Sequence, residues 1–115
     1  MIIDAGELRH SVVLQQHVTK RDDLGGQSSD WEDVAKIRCR VSTGGGREFY
    51  AAQKLSAEIT HAVVCRYRPF FEDVVSVAAM RLLYRDRIFN INAVVDEDEL
   101  HQWITLGCTE GVNDG

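Results

Sequence analysis

The chain has 115 residues, 44% of them hydrophobic and 27% charged, which suits one globular domain with a modest core. Its formal net charge of −5 argues against a protein built mainly to grip nucleic-acid backbone, a task that needs clustered lysine and arginine. No apolar run approaches the ~18 residues of a membrane span, and Met1 to His10 lacks the basic and apolar regions of a signal peptide.

From Leu8 to Gln16 the chain alternates. Leu8, His10, Val12 and Leu14 share one face, and Arg9, Ser11, Val13 and Gln15 share the other. This period of two predicts a strand with one buried face. His10 falls on the apolar side, where a hydrogen-bonded core histidine is the ordinary reading and a ligand the rarer one. Thr19 to Asp30 is polar and carries Gly25 and Gly26 among Asp and Ser, so it is expected to be a long loop. Loops of that length are either mobile tips or functional.

A second strand is expected over Trp31 to Ser42. Ala35, Ile37, Cys39 and Val41 point inward, and Lys36, Arg38, Arg40 and Ser42 point outward. The three cations form a stripe that ordinarily just solvates a strand face, though a weak phosphate-facing role is open to it. Gly44, Gly45 and Gly46 follow, with no phosphate-loop signature. They read as a flexible hinge, since glycine has the widest backbone freedom. Arg47 to Leu55 contains good helix formers, with Phe49, Ala52, Gln53 and Leu55 toward one side. It is the one short helix expected, and it needs packing to be stable.

Ile59 to Tyr67 is apolar on both faces, which suits a central strand, and Pro69 ends it. Pro69 to Ala79 reads as either a short strand or a turn of helix. In an extended segment Phe70 and Phe71 would point to opposite sides. One of them is then available for an interface, unless the loop folds back over the barrel end. Met80 to Tyr84 and Arg87 to Val95 form a hairpin across Arg85-Asp86. Asp96 to Glu99 is an acidic turn, His101 to Thr109 is the last strand, and Glu110 to Gly115 is a tail.

About six consecutive strands and one short helix, without repeated helical crossovers, predict a mostly β fold. It is a small antiparallel β-barrel forming a single domain over residues 1–115. No catalytic set emerges. There is no H-E-x-x-H and no G-x-S-x-G, and four neighbouring carboxylates on one turn are solvated rather than facing each other across a cleft. Cys39, Cys65 and Cys108 are widely spaced among apolar residues and read as buried, reduced thiols. No cofactor, metal or catalytic residue is assigned, and the chain is not read as an enzyme.

The residues carry a resemblance over roughly Gly6 to Glu110. Its pieces begin with Gly6-x-Leu8-Arg9-His10 with Gln15-Gln16, and Asp22 with Gly25-Gly26 before Trp31. They continue with Arg47-Glu48 and Ala51-Ala52-Gln53, then Thr60-His61 with Arg66-Tyr67-Arg68. Arg87-x-Phe89-x-Ile91 and Leu106-x-Cys108-x-Glu110 complete the set. In this order and spacing the chain resembles the phage head-tail adaptor family, the small head-completion or stopper proteins of tailed bacteriophages. Two departures stand out. Asp86 occupies a turn position where the family commonly has glycine, and Pro69 to Ala79 is longer than the family's usual link.

The resemblance implies a structural virion protein at the neck of a phage, prophage or gene-transfer particle, made in the bacterial host cytoplasm. Such proteins form a ring, commonly a dodecamer, beneath the portal and its adaptor ring. The ring retains packaged DNA, lets it pass without reading its sequence, and presents a surface to tail proteins. A loop projecting into the channel is the implied gate, and Ser42, Thr43, Gly44, Gly45, Gly46 and Arg47 are the residues expected to form it. Arg21, Asp22, Asp23, Leu24, Gly25 and Gly26, with Phe70 and Phe71, are expected at partner surfaces. A tail-side completion or terminator ring is the alternative. A nucleic-acid-binding barrel is the third reading, and the net charge disfavours it.

Overall fold

The alternation of apolar residues is realised as six antiparallel strands. The computed structural model describes residues 5–43 and 58–111. Strands β1 (His10–Arg21), β2 (Gln27–Ser42), β3 (His61–Arg66), β4 (Arg81–Tyr84), β5 (Arg87–Asp96) and β6 (Trp103–Glu110) are ordered β1-β2-β3-β6-β5-β4. The sheet closes on itself because β1 also pairs with β4, through Val13↔Leu83, Leu14↔Leu82 and Gln15↔Arg81. Closure removes the free edges that an open sheet would present. None of the described helices is long and apolar enough to cross a membrane.

The interior is filled from every strand. Val12 and Leu14 of β1, Ile37 and Cys39 of β2, Val63 and Cys65 of β3, Leu82 of β4, Phe89 and Ile91 of β5, and Ile104, Leu106 and Cys108 of β6 make one buried cluster. The inward set expected for β2 is the observed one. Strand β3 is buried on both faces, as its double apolar pattern requires. Its outer face is covered where Val64 packs with Leu8 and Trp103, beneath the N-terminal 3-10 turn Ala5–Glu7. Cys39 and Cys65 sit opposite each other across the β2–β3 ladder, and all three cysteines are free and buried. Burial pushes the thiols of Cys39 and Cys65 up to about 12, so they stay protonated and inert.

Two expectations are corrected, and one that was open is decided. Thr19 to Asp30 is mostly not a loop, since β1 runs on to Arg21 and β2 begins at Gln27. These residues are exposed on both faces, so no apolar alternation marks them. The backbone ladder from Gln15↔Asp33 to Arg21↔Gln27 nevertheless holds them as a long two-stranded arm. Pro69 to Ala79 takes the helical option: a 3-10 turn Pro69–Glu72, then α1 (Val74–Ala78), capped where Asp73 accepts a hydrogen bond from the Ser76 amide at 3.1 Å. His10 is half-buried with its ring edge-on to Tyr84. Its Nδ1 has no hydrogen-bond partner among the described residues, in place of the bonded core histidine expected. The helix expected over Arg47 to Leu55 lies outside the described residues.

The hairpin across Arg85-Asp86 forms as expected, with Tyr84↔Arg87 closing it. The residue of this turn with left-handed φ is Arg85, at 53°, and not Asp86.

Phe89 is fully buried between His61 and Tyr84. Phe89→Ala is expected to cost about 3–5 kcal/mol, from lost transfer energy and the cavity left behind. Urea unfolding followed by circular dichroism measures this. A loss under about 1 kcal/mol would show that the site collapses around the smaller side chain.

Candidate functional site

Past Gln15 the β1–β2 hairpin leaves the barrel. A bulge shifts the register there, so that Leu14 faces Ala35 but Gln15 faces Asp33. Bulges bend and twist a hairpin, and this one aims the arm outward. Its root is tied down by side chains. Buried Gln15 donates to Asp33 at 2.9 Å and accepts from Arg81 Nε at 2.9 Å. The Arg81 guanidinium lies 4.1 Å above the Trp31 ring, and Trp31 meets His17 edge-on.

The tip is a turn over Asp22 to Gly26. Asp22 Oδ1 accepts from the amides of Leu24 at 2.9 Å and Gly26 at 2.7 Å. Gly25 has a φ of 82°, and a Cβ on Gly26 would come within 2.8 Å of the Asp22 carboxylate. Gly25 is favoured by its left-handed backbone, and a side chain at Gly26 would displace the Asp22 carboxylate that organises the turn. Leu24 at the apex is 95% exposed, and Arg21, Asp22 and Asp23 beside it are exposed as well. The expected docking residues Arg21 to Gly26 are thus gathered at the end of one projecting element.

The aromatic pair is arranged differently. The 3-10 turn rotates Phe70 and Phe71 toward the same side, with rings 4.5 Å apart. Phe71 is 2% exposed and belongs to the core, while Phe70 packs half-buried against it. The loop folds back over the barrel end, and only Phe70 keeps an exposed edge. Of the expected gate, Ser42 ends β2 opposite Ala62 and Thr43 is exposed. Gly44, Gly45, Gly46 and Arg47 lie outside the described residues.

The basic stripe of β2 separates into different roles. Arg40 is neutralised by Glu7 at 3.0 Å. Arg38 instead joins Arg66 and Arg68, with Leu8 and Ile37, to line a cleft of about 300 Å³. This convergence was not foreseen. The signal available for it was the Arg66-x-Arg68 spacing at the end of β3.

A polar lock sits on the other side of the barrel. Arg87 on β5 grips Glu110 on β6 with two hydrogen bonds, at 2.7 and 2.9 Å. His61 on β3 lies 3.8 Å from the same carboxylate, with its other ring nitrogen against the Thr60 hydroxyl at 2.8 Å. The Arg87 hydrogen bonds hold Glu110 below the usual carboxylate range. At one end of the barrel, His101 bonds Asp96, lies 3.8 Å from Glu72 and stacks on Tyr67. Among the described residues no three His, Cys, Asp or Glu converge well enough to hold a metal.

Comparison with known proteins agrees with this architecture. Residues 3–111 match the family described as phage head completion protein. A chain from the virion of a native gene transfer agent particle is similar at 23% identity and a TM-score of 0.57, with 91% of this chain and 96% of that one covered. The solution structure of a protein from Shigella flexneri 2a is similar at 22% identity and a TM-score of 0.67, covering 97% and 100%. No curated protein matches.

The two histidines are expected to titrate in opposite directions from their ordinary value of 6.5. Burial pushes His61 down, Glu110 partly restores it, and Arg87 lowers it again. Its neutral form is the folded one. Stability from this site therefore declines as pH falls from 6.5 toward the lowered folded value, because the unfolded chain takes up a proton that the fold resists. The Asp96 hydrogen bond raises His101 against partial burial, and the charges of Asp96, Glu72 and Glu99 add to the rise. Its contribution is complete below 6.5 and is lost as pH climbs through the raised folded value. An NMR titration of the ring protons should place His61 below 6.5 and His101 above it. The reverse order would contradict this electrostatic account.

Proposed function

The chain belongs to the phage head completion protein family, whose members are structural virion proteins, and on that premise we propose that it is the stopper of the particle neck. In this reading copies form a ring beneath the portal-adaptor stack, retain packaged double-stranded DNA and present a surface to tail proteins. The family match over residues 3–111 is the observation that carries it. The architecture supports it, since a closed barrel is a rigid building block and the projecting arm is a natural contact element. The net charge of −5 fits a channel component that retains DNA by obstruction and not by gripping its phosphate backbone. Docking order separates this reading from a tail-side terminator, because a stopper binds a portal-adaptor complex and not a free tail tip.

We assign gating to Ser42, Thr43, Gly44, Gly45, Gly46 and Arg47. The argument is one of sequence: three glycines between a rigid strand and the residues that follow permit large backbone excursions. Replacing all three glycines with alanine is expected to yield particles that leak DNA or fail to eject it. Particles that retain and deliver DNA normally would place the gate elsewhere.

Docking to other virion proteins is assigned to the arm tip, Arg21 to Gly26, and to the exposed edge of Phe70 over its buried neighbour Phe71. Phe70→Ser is expected to lower attachment to heads, counted by electron microscopy, while the thermal transition stays cooperative. Unchanged attachment would remove Phe70 from the docking surface.

A further inference from the structure

Three arginines without a carboxylate partner among the described residues are unexpected in an acidic chain. In the cleft, Arg38 Nε donates to the Leu8 carbonyl at 3.3 Å. The Arg66 guanidinium lies over the Trp103 ring at 5.1 Å. Arg68 reaches the Lys36 carbonyl at 3.4 Å and lies over Phe70 at 5.1 Å. Among the described residues none of the three forms an ion pair with a carboxylate. Arg38 and Arg66 flank the Cys39↔Cys65 pair on neighbouring strands, so like charges stand side by side. Such juxtaposition is unfavourable unless an anion joins it. The cleft floor is apolar, formed by the nearly buried Leu8 and Ile37. Its chemistry therefore fits an apolar side chain beside a carboxylate.

The arm tip of this same chain carries Leu24 at the apex with the Asp23 carboxylate just before it; Asp22 Oδ1 is engaged by the Leu24 and Gly26 amides, and Arg21 lies alongside. The tip cannot fill its own cleft, because β2 carries both the arm and Ile37-Arg38 and holds them apart along one continuous strand. A second copy can supply it. The free part of the arm, residues 16–21 paired with 27–32, spans about 20 Å at strand rise. That is close to the width of the molecule, whose extents are 52 × 27 × 24 Å. A copy standing side by side is within reach.

We propose that the Leu24 tip of each copy, led by its Asp23 carboxylate, docks into the Arg38/Arg66/Arg68 cleft of the next. The two patches differ, so the contact is head-to-tail, and repeating it generates a closed ring or an open helix. The proposal rests on the neck reading and names the partner of the tip. An exposed contact of this kind is weak by itself. It becomes effective when the portal-adaptor stack holds copies beside one another at high local concentration.

The test uses the full-length protein with Asp23→Cys and Arg68→Cys combined, incorporated into particles and mildly oxidised. The three native thiols are buried and do not take part. A ladder of covalent multimers from particles, with monomer only from dilute purified protein, is expected. Presence in particles without a ladder overturns the proposal and leaves the neck reading standing. Absence from particles, with the single-cysteine variants also absent, overturns both. As a second arm, Arg66→Glu with Arg68→Glu should abolish incorporation, and adding Asp23→Lys in the same chain should restore it. Failure of the swap to restore incorporation, in a variant whose thermal transition matches the native one, also overturns the proposal. If the Arg66→Glu, Arg68→Glu variant still enters particles but these leak DNA, the cleft faces phosphate instead of a neighbouring copy.

Discussion

The rest of the structure depends on the register of β1. Leu14 stands in two ladders at once, opposite Ala35 on β2 and Leu82 on β4. That double pairing closes the sheet and places Leu14 at zero exposure in the core. Past Gln15 both conditions end. The bulge shifts β1 against β2, and β4 reaches only as far as Arg81, opposite Gln15. Beyond that point β1 has β2 as its sole neighbour, so the hairpin leaves the barrel. Closure and projection are two results of one register.

The junction is polar, and the Gln15 amide at its centre is bonded at both ends, while the buried Trp31 Nε1 has no hydrogen-bond partner among the described residues. Gln15 uses its amide nitrogen toward Asp33 and its carbonyl toward Arg81. A buried amide with both ends bonded specifies geometry, because any slip leaves a donor or acceptor unmatched. The Arg87–Glu110 grip has the same character at the other side, joining β5 to β6, with His61 of β3 against the same carboxylate. Thr60-His61, Arg87 with Phe89, and Cys108 with Glu110 are separate family motifs in sequence, yet they meet in space. They read as devices that hold the barrel closed rather than as a reaction centre.

This distributes labour between the body and its extensions. Apolar residues and cysteines fill the barrel, where burial keeps the thiols protonated and unreactive. The arm has almost no apolar content and is kept straight by backbone pairing and by the Asp22 turn. A contact element of that kind can be long without adding an aggregation-prone apolar face. In the proposed ring, rigid bodies would stand side by side, with arms and clefts setting the order of contacts.

The sequence by itself determined the barrel. Alternation at Val12 and Leu14, at Ile37 and Cys39, and along the doubly apolar β3 reports burial directly, because a strand turns alternate side chains to opposite faces. The Arg85-Asp86 hairpin was legible for the same reason, with apolar strands on both sides of a short polar turn. The arm was not legible. Its residues are polar on both faces, and a pattern based on burial carries no signal for a ladder held by backbone hydrogen bonds alone. For Phe70 and Phe71 the pattern left an exposed residue and a folded-back loop both open, and only the packing of the Pro69–Glu72 turn on the barrel end decided between them. Of the arginine cleft, local spacing signals only the Arg66-x-Arg68 half. Arg38 is far in sequence from Arg66 and Arg68, and they become neighbours only because β2 and β3 pair in one register. Local periodicity reports which side of an element is buried, whereas the meeting of distant charges depends on how elements are joined, and tertiary structure alone decides that.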